Sequence, residues 1–199
     1  RELNMYLLID LSASNALGCK NSIIAEIGAT LAFSAIKNND KVGALLFTEE
    51  VEKIIPSKSG KRHVLSIIED ILNYKPENKG TDIKKVLQYF NRIEKKQSIV
   101  FLLSDFMDEG FKNDLKITSY KHDLIMIRVI DRVEEGIPGG AIFEFEDLET
   151  GEHVVVDNLK SDLQLDLKGD LPANNLINIY TDQDYVKSLK RFFKRRLQQ

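Results

Sequence analysis

Two short apolar runs, each ending in an aspartate, constrain this chain more than any other feature. Asn4 to Asp10 reads NMYLLID, and Ser98 to Asp105 reads SIVFLLSD. Runs of this length with no polar alternation suit strands buried on both faces of a parallel sheet. Lys41 to Thr48 (KVGALLFT) and Asp123 to Ile130 (DLIMIRVI) repeat the pattern. Between them, apolar residues recur at helical spacing. Lys20 to Asn38 carries Ile23, Ile24, Ile27, Leu31 and Ala35, with Gly28 and Ala32 small enough for close packing. Gly60 to Tyr74 carries Val64, Leu65, Ile68, Ile71 and Leu72. A helix opened by Thr81 carries Ile83, Val86, Leu87, Phe90 and Ile93, and a shorter one is expected over Lys112 to Ser119. Val51 to Pro56 follows a Glu49-Glu50 turn so closely that this strand is expected to run antiparallel.

Strands alternating with helices predict an α/β, Rossmann-like fold: a mainly parallel central sheet, one antiparallel edge strand and helices on both faces. The last third reads differently. Ala141 to Asp157 alternates around Thr150-Gly151 as a β-hairpin, and Lys160 to Asn175 has no clear periodicity. Leu176 to Tyr180 reads as a last strand, and Asp182 is placed to cap a helix running to about Leu197. The expected organisation is one domain over residues 1–199, with a core at about 3–131 and a C-terminal hairpin, strand and helix at about 132–199.

With 199 residues the chain is long enough for one buried α/β core. Lys and Arg total 28 against 31 Asp and Glu, a net charge of -3, which gives no general attraction to nucleic acid or anionic membrane. Cys19 is the single cysteine, so no disulfide forms within the chain; this fits a reducing compartment, and a cytoplasmic location is expected. No apolar run approaches the roughly 20 residues that span a bilayer, so no membrane segment is expected here. The chain opens on Arg1 rather than Met. A fragment of a longer protein is therefore expected, in which any membrane anchor lies outside these residues.

In a parallel sheet, ligands bind beyond the C-terminal strand ends, near the point where strand order reverses. Asp10-Leu11-Ser12-Ala13-Ser14 leaves the first strand directly, and the turn aims one carboxylate and two hydroxyls at a common point. Hard oxygen donors of this kind suit Mg²⁺, with Mn²⁺ or Ca²⁺ as alternatives, rather than zinc. The Thr81 hydroxyl and the Asp105 carboxylate complete the expected ligand set. Thr81 also stands where it can cap its helix. Asp82 is read as first-turn charge complementing the helix dipole. Asp108 and Glu109 are read as solvated loop acids.

D-x-S-x-S after a first apolar strand, a later Gly-Thr-Asp at a helix start, and Ser-Asp closing the fourth strand together resemble the metal-ion-dependent adhesion site of von Willebrand factor A domains. The match falls on Asp10, Ser12, Ser14, Thr81 and Asp105. That resemblance implies an ion with an open position, which an acidic residue of a protein partner fills. A narrower resemblance spans nearly the whole chain. Val42-Gly43 with Phe47, Pro56 to His63, Thr81-Asp82-Ile83, Ser104-Asp105-Phe106, His122-Asp123-Leu124, Arg128 to Asp131, Glu149 to Glu152 and Phe192-Phe193 look like the bacterial domain-of-unknown-function family fifty-eight. This implies a partner or adaptor of a MoxR-type AAA+ ATPase, or of its client, in a chaperone-like or assembly role. Asn15 stands where that family often has Met, and the stretch between Asp157 and Leu176 is shorter and less helical than the family pattern.

Other function classes are disfavoured by what the sequence lacks. A metal-assisted phosphohydrolase is the enzymatic alternative. However, Asp10 is followed two residues later by Ser12 rather than a second Asp, and no histidine is placed as a base. No G-x-S-x-G elbow and no glycine-rich nucleotide loop is present. No enzyme is therefore expected. A third alternative is a structural domain whose ion only ties its loops together. His63, His122 and His153 lack zinc spacing, and His122 is read as structural. Cys19 is read as inert. The basic positions Lys187, Lys190, Arg191, Lys194, Arg195 and Arg196 are read as charge favoured near a helix C-terminus, with Tyr185, Leu189, Phe192 and Phe193 facing the core.

Overall fold

The first apolar run becomes an interior strand of a six-stranded sheet. The computed structural model describes residues 3–12, 20–131, 142–146, 153–157 and 175–196. In chain order these form β1 (Asn4–Asp10), α1 (Lys20–Asn38), β2 (Lys41–Phe47), β3 (Val51–Lys58), α2 (Lys61–Asn73), α3 (Ile83–Ile93) and β4 (Ile99–Ser104). They continue as α4 (Lys112–Lys121), β5 (Asp123–Ile130), β6 (Ile142–Glu146), β7 (His153–Asp157), β8 (Leu176–Tyr180) and α5 (Tyr185–Arg196). The sheet order is β3-β2-β1-β4-β5-β8. All its pairings are parallel except β2 with β3, the antiparallel edge predicted from the sequence. β3 runs on past Pro56 to Lys58, which an edge strand tolerates because one side needs no partner.

The fold is the expected Rossmann-like α/β sheet. Strands β2 and β3 are laid down on one side of β1, and β4, β5 and β8 on the other. Strand order therefore reverses between β1 and β4, and the crevice opens there.

Side chains alternate through the sheet into separate apolar layers. Met5, Leu7 and Ile9 of β1 pack with Ile24, Ile27 and Leu31 of α1, with α2 and with Leu189 and Phe192 of α5. Tyr6 and Leu8 pack instead with Val86, Leu87 and Phe90 of α3 and Leu115 of α4. Gly28 lets α1 lie close to the sheet: a β-carbon there would come within 2.9 Å of Ile9 Cδ1.

Several expectations need correction. On α2, Val64, Ile67 and Ile71 face inward, whereas Leu65 and Leu72 are 44% and 54% exposed. The buried stripe follows the i, i+3, i+7 spacing of Val64, Ile67 and Ile71, so Ile67 rather than Leu65 accompanies Val64 on the inner face. Ile93 at the end of α3 is also exposed. Asp184, not Asp182, caps α5: its Oδ1 accepts from Val186 N at 3.0 Å. As expected, Leu189 and Phe192 are buried, and Tyr185 and Phe193 pack against the same layer. Arg196 gives Nη2 to both Asp123 oxygens at 2.7 Å, which fastens α5 to the start of β5. The predicted hairpin is present, with β6 antiparallel to β7 and Ile142 opposite Asp157. Ser14, Asn15, Cys19, Thr150-Gly151, Glu149, Glu152, Leu197 and residues 158–174 lie outside the described residues. Among those described, no helix is long and apolar enough to cross a membrane.

Candidate functional site

The site begins with a register. Ile9 pairs with Leu103, so the next residues at the strand ends are Asp10 and Ser104, followed by Asp105. Asp10 is completely buried. Its Oδ1 accepts from Ser12 N at 2.9 Å and its Oδ2 from Ser104 Oγ at 2.5 Å. The Ser12 hydroxyl also bonds it. Burial, and then the charge of Asp105, push the Asp10 carboxyl up to about 6, against the pull of those hydrogen bonds. Two carboxylates thus converge at the crevice between β1 and β4, in surroundings that favour an added cation.

The turn after β4 is tightly held. Asp105 Oδ1 accepts from Met107 N at 3.0 Å, and Ser104 Oγ accepts from Phe106 N at 2.9 Å. Ser104 thereby donates to Asp10 while accepting from the turn. Arg128 on β5 donates Nε to the Asp105 carbonyl at 3.3 Å. Phe106 has φ 59°, a left-handed conformation that costs a non-glycine residue energy. Its buried ring sits 6.1 Å from that of Phe111, packing that holds the residue in place.

Lys20 is the unexpected member. It opens α1 yet is only 1% exposed, and its Nζ lies 3.1 Å from Asp105 Oδ2, itself on a side chain 3% exposed. A cation in the first turn opposes the helix dipole, so a buried acid is what makes this placement tolerable.

The family model described as "Protein of unknown function DUF58" matches residues 1–170. The chain belongs to the DUF58 family. No curated protein matches it. Among solved structures, the DUF58 chain is similar to BatB, a conserved hypothetical protein from Bacteroides thetaiotaomicron. The TM-score is 0.68 at 12% identity, over 99% of this chain and 100% of the other. It is also similar to an aerotolerance-related membrane protein from Bacteroides fragilis NCTC 9343 carrying multiple mutations to serines. There the TM-score is 0.61 at 16% identity, over 94% and 96% of the two chains. Proximal thread matrix protein 1 from the mussel byssus gives 0.56 at 14% identity, over 96% of this chain and 45% of that one. At these identities the likeness concerns the fold.

In this DUF58 chain, the remaining expected ligand, Thr81, lies on a loop gathered from several directions. Asp82 N donates to the Thr48 carbonyl at 3.1 Å, which ties the loop to the end of β2. Glu52 of β3 accepts from Glu77 N at 2.9 Å, Asn78 N at 3.0 Å and Thr48 Oγ1 at 2.7 Å. Burial raises the Glu52 carboxyl, but these bonds outweigh it and leave the group below its ordinary 4.5. Asp82, not Thr81, caps α3: Oδ1 accepts from Lys85 N at 2.7 Å. Asp108 is not a free loop acid either, because its Oδ2 accepts from Ile83 N at 2.8 Å. Both carboxylates satisfy helix-end amides that otherwise have no partner. Thr81 is thus positioned over the same sheet edge, with no hydrogen bond to Asp10 or Asp105 among the described residues. Asp10, Ser12 and Asp105 are brought together; Thr81 is brought alongside.

The donor set fits a hard cation by its chemistry: carboxylate and hydroxyl oxygens, buried, with excess negative charge at Asp10 and Asp105. No group of three or more His, Cys, Asp or Glu among the described residues could hold a metal. A cation here therefore relies on hydroxyls and waters beside the acids. Sequence reasoning missed Lys20 and Glu52, carried Ser104 only as part of the Ser-Asp motif, and read Asp108 as a solvated loop acid. A lysine at a helix start was the available signal for Lys20; nothing local marks the partners of the other three.

Proposed function

We propose that this DUF58 chain is a metal-ion-dependent protein-interaction module rather than an enzyme. Asp10, Ser12, Ser14, Thr81 and Asp105 hold Mg²⁺, or Mn²⁺ or Ca²⁺, at the crevice between β1 and β4. An acidic side chain of a protein partner then completes the shell. The observation that carries this reading is the convergence of buried Asp10 and Asp105 where strand order reverses. The resemblance to von Willebrand factor A domains supports the ligand set. The narrower family resemblance points to a MoxR-type AAA+ ATPase, or its client, as the partner, in a chaperone-like or assembly role. When bound, the ion supplies a fixed positive charge that a partner carboxylate can contact. The chain's own groups orient that charge: Ser104 and Ser12 fix Asp10, and Met107 N fixes Asp105.

A melt series tests the ion. Wild type and Asp10→Ala are unfolded thermally in EDTA and then in rising Mg²⁺. A ligand that binds only the folded state raises the melting temperature with concentration, so wild type is expected to shift and Asp10→Ala is not. Binding to a MoxR-type ATPase that survives excess EDTA would sink the partner reading. The Lys20–Asp105 pair favours one second reading, a structural domain whose loops are tied by ionic contacts alone. That reading has no Mg²⁺-dependent association with any acidic partner.

A further inference from the structure

We propose that Lys20 is the resident cation of this site and couples loading of a divalent ion to binding of an anionic ligand. The inference rests on the divalent-ion reading above and deepens it.

The argument is charge accounting in a buried place. Asp10 and Asp105 bring two negative charges, and Lys20 brings one positive charge within 3.1 Å of Asp105 Oδ2. The ammonium is as inaccessible to water as the carboxylates. Its charge is therefore felt almost unscreened by anything entering the crevice. Add a divalent ion while Lys20 stays, and the site carries one uncompensated positive charge. That is costly where water cannot reach it. A ligand carboxylate removes this excess, and the five charged groups together are neutral. Without Lys20, the two aspartates alone would neutralise the ion, and it could load with no ligand present. The Lys20 ammonium and the ion also draw on the same Asp105 carboxylate. Lys20 thus weakens the ion on its own and favours the ion together with an acid. Such a site holds the ion weakly alone and more tightly once its partner arrives.

The backbone supports a fixed role for Lys20. Its Cα belongs to the first turn of α1, and α1 is seated on β1 through Ile24, Ile27 and the Gly28 approach to Ile9. The ammonium is thereby held at the crevice by a packed helix rather than by a surface loop.

The test is calorimetric titration of MgCl₂ into wild type and Lys20→Met, each with and without acetate as the probe carboxylate. Lys20→Met is expected to bind Mg²⁺ about tenfold more tightly than wild type in the absence of acetate. Acetate is expected to tighten Mg²⁺ binding in wild type and to do so much less in Lys20→Met. Equal Mg²⁺ affinities in the two proteins overturn the role of Lys20 and leave the ion site standing. No Mg²⁺ binding to either protein overturns both readings. Should Lys20→Met fail to fold, wild type decides by NMR. The Lys20 ε-methylene signal must then shift along the Mg²⁺ binding curve, and a signal unmoved while the ion binds overturns the proposal.

Discussion

Lys20 Nζ lies 3.1 Å from Asp105 Oδ2, and both side chains are out of contact with water. Removing one member of such a pair leaves the other charge buried and uncompensated. In EDTA, Lys20→Met is expected to cost about 3–5 kcal/mol of stability. Lys20→Met combined with Asp105→Asn is expected to recover part of that loss, because no lone charge remains. A double-mutant cycle by urea unfolding measures this; strictly additive losses would show that the pair is not coupled.

Ser104 joins the strand ends, donating to Asp10 Oδ2 and accepting from Phe106 N. Ser104→Ala leaves a buried carboxylate oxygen and a buried amide without these partners. The expected cost is about 1–3 kcal/mol, read as a lower urea midpoint at unchanged slope. Weaker Mg²⁺ affinity should accompany it, since Asp10 loses the bond that fixes its orientation. A variant as stable as wild type would count against this assignment.

Glu52 organises the loop before Thr81 through its bonds from Thr48, Glu77 and Asn78. Glu52→Ala is expected to speed hydrogen exchange at the Glu77 and Asn78 amides while leaving β1 protected. The pH dependence follows from its lowered carboxyl. A folded-state value below the unfolded one means the stabilisation is present above pH 4.5 and is lost as pH falls through the lower, folded value. Exchange rates at these two amides that are unchanged in Glu52→Ala would refute the role.

His122 is buried, with its ring 5.0 Å from that of Phe90. Burial lowers its affinity for a proton below the ordinary 6.5, against the opposing pull of the Glu94 charge. Below pH 6.5 the unfolded chain takes up a proton that the folded chain resists, so stability declines as pH falls through that region. His122→Leu is expected to flatten this part of the stability–pH curve. An unchanged slope between pH 7 and pH 5, covering the ordinary titration range of histidine, would show that another group is responsible.

The sequence by itself determined the elements and the direction of the fold. Apolar runs such as Met5 to Ile9 have no hydrophilic face, so they must be covered on both sides, and the helical stretches between them supply the cover. That logic is local and periodic, which is why β1, α1, β5 and β8 were legible to within a residue. It also marked Asp10 and Asp105 as strand-end acids. What it could not reach was which partner each polar group meets. Lys20 and Asp105 are separated by 85 positions, and Asp10 and Ser104 by 94. Those meetings depend on β4 pairing with β1 rather than with β2 or β5 alone, and on the depth at which α1 settles against Ile9. Likewise Asp108 could be read as a solvated acid until α3 brought the Ile83 amide to it. The stripe of α2 shifted from Leu65 to Ile67 for the same reason, since a helix face is fixed by what it packs on. Periodicity sets a strand or a helix because it is a property of neighbours in sequence; a buried charge finds its counter-charge only when the chain has folded back and excluded water from both.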